Sequence, residues 1–462
     1  MKAELSGHYS ARRLAVTSIP MIGMMIITSI YSIVDGFFVS NFAGATEFAA
    51  MNLIWPAIAL VSALGLMVGS GGSALVSKTL GEGDKEKANA IFSQLIRLCL
   101  GIGAIAGVLL FAFMKPLVMM LGASTEMAPF AVTYGRIVVA VMPLFIIQMA
   151  FQSFYMTAER PELGTRMSII CGLLNISLDA LLVIGFGWGL TGAAIATAVS
   201  LAAGGIYPLL LFSSRREGVS KGNLHLIWSC GWDWKSIGKS CSNGLSEYVG
   251  NVALSVVSIG YNIQLMRYIG EDGVAAYGII MYVGFIFSAV FIGYNLCVSQ
   301  VIAYNYGARN RDELRSLLRK SLKLIAIAGI VLTGIAELSA PWLSSVFVGY
   351  NSQLCAITTR AIRIYMLSFL LCGFNMFCSA WFTALGNGIV SAAAAFARTM
   401  VFELATVFIL PGIFGIDGIW SAVCVAEVMA FILTVTLILA FRNRYLGPVC
   451  QKDAKRFNFP SS

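Results

Sequence analysis

Asp35 and Asp179 each stand inside a long apolar stretch of a 462-residue chain. Asp179 lies near the middle of residues 165–187, TRMSIICGLLNISLDALLVIGFG, a run long enough to cross a bilayer. A carboxylate at that depth costs about 2.5–3.5 kcal/mol on insertion scales, so it is rarely kept without a partner or a task. Asn175 stands four residues earlier, and in a helix the two side chains share one face. An amide oxygen stacked on a carboxylate inside a membrane suits a proton or a small cation. Asp35 follows Tyr31 near the end of another apolar run. Two neighbouring carboxylates in a low dielectric do not both stay charged easily, so one holds a proton or the pair shares a cation. The plainer alternative is a buried hydrogen-bonded pair that locks two helices together.

Other polar residues at membrane depth are fewer. Glu247 in GLSEYVGN is a further isolated carboxylate, and Arg398, Glu403 and Glu427 are spaced to neutralise one another. Gln148 and Gln152 lie four apart, with Phe154 close behind, and Tyr277 and Tyr294 punctuate a later apolar run. Aromatic faces attract lipophilic cations, so these five are candidates to line a substrate cavity, although packing accounts for most such residues. GSGGS at 69–73 lacks the Gly-Lys-Ser/Thr ending of a phosphate loop and lies in an apolar stretch, which favours close helix packing. His8 and His225 sit in polar segments and the ten cysteines follow no ligand or paired spacing. A histidine metal site, a disulfide framework and an enzyme's catalytic triad are therefore not expected.

The elements that must carry these residues follow from composition. Apolar residues make up 58% of the chain, charged residues 11%, and mean hydropathy is +0.83, which excludes a soluble protein of this length. At about 20 residues per span, twelve helices are expected near 14–38, 48–77, 89–113, 130–156, 165–187, 190–213, 238–266, 274–304, 317–340, 355–383, 389–411 and 417–441. The net charge of +9 comes from Lys and Arg concentrated in alternate loops, including Arg12, Arg13, Lys78, Lys85, Arg160, Arg215, Arg309 and the tail after 441. That is a topology signal and not a nucleic-acid footprint. It places both termini in the cytoplasm and the basic loops against anionic headgroups.

A constant shift of 226 residues superposes the two halves. Gly81 falls on Gly307, Ser153 and Thr157 on Ser379 and Thr383, and Gly189 and Gly192 on Gly415 and Gly418. An even number of spans per half makes this a parallel repeat, two six-helix lobes about an axis along the membrane normal. The expected division is an N-terminal lobe at 1–213, a cytoplasmic linker at 214–237, a C-terminal lobe at 238–441 and a cytoplasmic tail at 442–462. Under the same shift Asp35 falls on Tyr261, Asn175 on Val401 and Asp179 on Ala405. The carboxylate pair therefore belongs to the first lobe alone.

SIYSIVDGFFVSNFAG after Pro20, GSGGSALVSKTLGEGDKEKA, NISLD, GLTGAAIATA, GEDGVAAYGI and VIAYNYGARNRDEL resemble the multidrug and toxic compound extrusion (MATE) transporters, in particular the bacterial DinF-like and MepA-like branch. The resemblance covers nearly the whole chain. It implies a monomeric plasma-membrane antiporter that exports cationic, lipophilic compounds in exchange for H⁺ or Na⁺, with no other cofactor. It implies a proton or Na⁺ site at Asp35, Asn175, Asp179 and Thr197 beside Tyr31, a bend at Pro20 that follows protonation, and a second relay at Glu247. Within the wider superfamily the rival is a lipid-linked oligosaccharide flippase, which wants a row of cavity arginines; an ion channel is the rival from another class.

Overall fold

The computed structural model describes residues 4–214, 224–349 and 351–447, so most of the expected tail and part of the linker lie outside the described residues. Among the described residues ten single helices are long and apolar enough to span, and two bent pairs, each taken as one span, bring the number to twelve. In chain order the first lobe holds α1 (Ala11–Ala43), α2 (Thr46–Gly81), α3 (Lys85–Met120), α4 (Ala128–Ala140 with Met142–Thr157), α5 (Pro161–Gly185) and α6 (Gly189–Ser213). The second holds α7 (Leu245–Tyr268), α8 (Glu271–Gly307), α9 (Arg311–Val348), α10 (Ser352–Met366 with Phe369–Ala384), α11 (Gly388–Phe414) and α12 (Ile416–Leu446). The spans overrun the expected ones at most ends, because polar caps such as Ser10, Asp84 and Asn310 start helices before their apolar runs begin.

The repeat is visible in the packing as well as in the order. α4 bends by 63° between Ala140 and Met142, and α10 bends by 47° between Met366 and Phe369, at corresponding positions of the two lobes. In α4 Val141 leaves the helical region and Pro143 sits in the first turn of the second segment, where its missing N–H costs nothing. A glycine of the preceding span fits against each bend. A Cβ on Gly103 would lie 2.4 Å from the Pro143 Cα, and one on Gly329 would lie 3.0 Å from the Phe369 carbonyl oxygen. Both partners in the second pair stand 226 positions after those in the first.

The lobes meet at the end of the molecule that carries the basic loops. A Cβ on Gly81 would lie 2.0 Å from the Tyr304 carbonyl oxygen, and one on Gly307 would lie 2.0 Å from that of Lys78. α2 and α8 thus touch backbone to backbone, which only glycine permits. Gly71 and Gly244 close the α2–α7 contact in the same way. Behind them a buried polar knot ties the halves: Ser77 donates to Gln300 Oε1 at 3.0 Å, Thr157 to the same oxygen at 3.2 Å, and Gln300 Nε2 to Ser73 at 2.9 Å.

Segments outside the spans brace this end. The Leu5 N–H donates to Glu159 Oε1 at 2.8 Å in the first lobe. Four residues on, the Tyr9 N–H donates to Glu313 Oε1 at 3.0 Å and His8 Nδ1 lies 2.5 Å from Glu313 Oε2, both in the second lobe. Lys320 donates to the Tyr9 carbonyl. Leu5 and Tyr9 are fully buried, so the N-terminal segment is a strap across both lobes. The linker is held by polar side chains of α3: Asn89, Ser93 and Gln94 accept from the backbone N–H groups of His225, Ile227 and Asp233 at 2.8–3.0 Å. Arg97 donates to the carbonyls of Trp228 and Cys230 and lies over the Trp232 ring.

Candidate functional site

A seam of small and polar residues brings α1 against α5. Thr165 donates to the Pro20 carbonyl at 2.5 Å, the Gly164 position faces Met24, Thr28 meets Ser168 at 3.3 Å, and Tyr31 lies over Gly172. A Cβ on Gly172 would come within 3.3 Å of the Tyr31 Cβ, so a larger residue there would push the helices apart. One turn further on, the seam ends at Asp35. α1 is helical without a break from Ala11 to Phe38, straight through Pro20.

Asp179, Asn175 and Thr197 surround the Asp35 carboxylate, with the Thr197 hydroxyl donating to Oδ1 at 3.4 Å. Asp179 is fully buried, and among the described residues its carboxylate oxygens meet no hydrogen-bonding group but the Asp35 carboxyl beside them. Asn175 is also buried, with its side-chain oxygen unpartnered. By surface exposure Asp35 is partly accessible and Asp179 is enclosed. No Lys or Arg of the described residues pairs with either carboxylate. Asp179 is followed at once by a π-helical segment, Ala180–Gly185, a widened turn that recurs at functional sites.

Unpartnered hard oxygens with excess negative charge are a receptor for a proton or a small hard cation. Five groups from four spans bring oxygens to the site: Asp35 from α1, Tyr134 from α4, Asn175 and Asp179 from α5, and Thr197 from α6. Tyr134 escaped the sequence reading. Its hydroxyl is buried and unpartnered and interacts with Asp35, Thr197 and Asp179. A tyrosine in an apolar run carries no marking of its own; only its place one span before the carboxylates hinted at it.

The remaining expected residues are scattered. Glu247 is exposed, in the other lobe, on a face of α7 that also carries Asn251, Ser255 and Asn262. Gln152 donates weakly to Met149 Sδ at 3.5 Å, and Gln148 is wedged against Gly204 of α6. Three expected cavity residues are enclosed by the helix packing in this conformation. Phe154 is fully enclosed in an edge-to-face cluster with Phe92 and Phe151. Tyr277 stacks on Tyr261 with ring centroids 4.7 Å apart, and Tyr294 donates to Ser321 at 2.8 Å. Each satisfies its ring or hydroxyl within the helix packing and presents little surface to any ligand in this conformation.

Arg398, Glu403 and Glu427 do not form one neutral triad. Arg398 donates Nε and Nη2 to Glu427 Oε1 at 2.8 and 2.6 Å, leaving Glu403 outside the pair. Arg97 and Arg136, the arginines of the first lobe nearest membrane depth, do not form the row a flippase wants: Arg97 holds the linker and Arg136 lies over Phe111.

Twelve spans in two pseudosymmetric lobes, with an uncompensated carboxylate pair in one, define a polytopic membrane transport protein. The chain belongs to the MatE family, whose model matches residues 20–181 and again residues 247–409, one match in each lobe. It is 24% identical over 428 residues to the multidrug export protein MepA of Staphylococcus haemolyticus (strain JCSC1435), covering 92% of this chain and 93% of that one. Among solved structures it is similar to a MATE protein in complex with MaL6, with a TM-score of 0.88, 21% identity, and coverage of 94% and 98%. It is equally similar to a MOP superfamily transporter from Pyrococcus furiosus, with a TM-score of 0.87, 22% identity, and coverage of 96% and 98%. At these identities the structures speak for the fold: two six-helix lobes.

Proposed function

We propose that this protein is a secondary antiporter that exports cationic, lipophilic compounds from the cytoplasm in exchange for H⁺ or Na⁺, with both termini cytoplasmic. The observation that carries the reading is the Asp35–Asp179 pair, which meets no Lys or Arg among the described residues and takes a hydrogen bond from Thr197 on Asp35. The MepA relatives are multidrug export proteins, which supports the substrate class. A group with no fixed counter-charge has different affinity for a cation when its surroundings change, and that difference is what alternating access requires.

In this reading the ion enters by Asp35, the half-exposed member, and is shared with Asp179 among Asn175, Thr197 and Tyr134. Its arrival neutralises the site and lets α1 move against α5 along the Pro20–Gly172 seam. Drug leaves on the side from which the ion came, and the lobes then part at their basic ends to load again. Efflux from loaded vesicles, driven separately by a pH or a sodium gradient, tests the exchange. Flux that follows neither gradient would refute it.

A further inference from the structure

The second lobe has its own buried acidic cluster between α7, α11 and α12, the counterparts of the three spans that supply Asp35, Asp179 and Thr197. Glu427 on α12 is buried, takes both Arg398 donors on Oε1 and takes Asn375 Nδ2 on Oε2 at 2.5 Å. The guanidinium is thereby committed to Glu427. Glu403, on the same span as Arg398 and at the end of the π-helical segment Ala397–Glu403, is 9% exposed. No hydrogen bond reaches its carboxylate among the described residues. Two buried carboxylates face one guanidinium, so the cluster carries one negative charge too many for a membrane interior when all three ionise.

A second observation marks the same spot. Tyr261 of α7 stands where the repeat puts Asp35, is fully enclosed, and has an unpartnered hydroxyl. Glu403 is the strongest charged neighbour of that hydroxyl and of Tyr277 on α8, and it also acts on Tyr365 and Cys372 of α10. Gly260 lets α7 press against Leu404, one residue after Glu403: a Cβ there would lie 2.9 Å from Leu404 Cδ1. The groups facing Glu403 are therefore Arg398 and Glu427, one of each sign and paired with each other, together with three tyrosines and a thiol.

We infer that the second lobe binds a proton at Glu403, held between the Arg398–Glu427 pair and the Tyr261 hydroxyl. Protonation removes the excess charge and gives Glu403 an O–H to donate. The inference stands on charge and burial and does not depend on the antiport reading.

Infrared difference spectroscopy of the full-length protein in lipid at neutral pH, in H₂O against D₂O, detects the carbonyl stretch of a protonated carboxyl. With Asp35→Asn and Asp179→Asn both in place, that band is expected to persist and to vanish when Glu403→Gln is added. In the same background Arg398→Gln, which frees Glu427 of its partner, is expected to increase the band. A double variant without the band, or a band indifferent to Glu403→Gln, would overturn the inference; so would an Arg398→Gln variant, eluting as a single folded species, whose band does not grow.

Discussion

Gly81 and Gly307, 226 positions apart in the chain, are reciprocal contacts: each lies where the other's lobe offers a carbonyl, Tyr304 to Gly81 and Lys78 to Gly307. Those two carbonyls are themselves 226 apart. The pseudo-twofold axis of the repeat therefore passes between α2 and α8. Inserting a side chain at either glycine must push backbone against backbone. Gly81→Val and Gly307→Val are each expected to destabilise the lobe contact by about 1–3 kcal/mol, the usual cost of overpacking. Thermal unfolding of the purified protein checks this, and effects of opposite sign at the two positions would contradict the symmetry.

The strap across the basic end rests on Glu159 and Glu313. Burial raises the Glu159 carboxyl above the ordinary range, and the Leu5 N–H opposes the shift only in part. A carboxyl raised in the docked state binds more protons there than when undocked, so docking weakens as pH climbs from below the ordinary glutamate range through the raised value. Glu159→Gln keeps an acceptor for Leu5 without the charge. It should flatten that pH dependence and protect the Leu5 amide from hydrogen exchange at neutral pH. Glu313→Ala, which removes the acceptor of both His8 and Tyr9, should expose the segment instead.

Arg398 and Glu427 are a buried ion pair, and breaking such a pair leaves a charge without compensation. Arg398→Ala, which leaves two carboxylates and no guanidinium, is expected to cost about 3–5 kcal/mol, while replacing both Arg398 and Glu427 with Met should cost much less. Comparison of the single and double variants by thermal unfolding measures the difference. Equal losses would mean that the pair contributes through packing alone.

Much of this architecture was legible in the chain. Twelve apolar runs, the shift of 226 and the isolation of Asp35 and Asp179 needed no coordinates, because charge at membrane depth is conspicuous and a duplication leaves matched glycines. The bends in α4 and α10 were not legible. Both lie in continuous apolar sequence, and only Pro143 hints at the first. Tyr134, Phe154, Tyr277 and Tyr294 illustrate the deeper limit. An aromatic residue's period along a helix shows which face it occupies, but its neighbours depend on how several helices cross. The surroundings of Tyr134 and Phe154 could not be read from the sequence for that one reason. Glu403 differs again: Arg398 on its own span and Glu427 on the next suggested neutralisation, and the geometry of one guanidinium bonded to one oxygen left it unpaired.

Tyr134 supplies a hydroxyl and no charge to the carboxylate pair. Tyr134→Phe keeps the packing of a fully buried ring and removes one oxygen. It should weaken ion binding severalfold without abolishing gradient-driven efflux, whereas Thr197→Ala should act similarly through the lost 3.4 Å hydrogen bond to Asp35. Rates of efflux against the concentration of the driving ion separate weaker binding from slower turnover.

The central claim is that the carboxylate pair of the first lobe couples ion entry to export. It is tested most directly in vesicles loaded with a lipophilic cation, under a pH gradient and a sodium gradient imposed one at a time. The wild-type chain is expected to export under at least one of them, and Asp35→Asn and Asp179→Asn each to lose the gradient-driven part by tenfold or more, about 1.4 kcal/mol of coupling. Gradient-driven efflux undiminished in both variants would contradict the account.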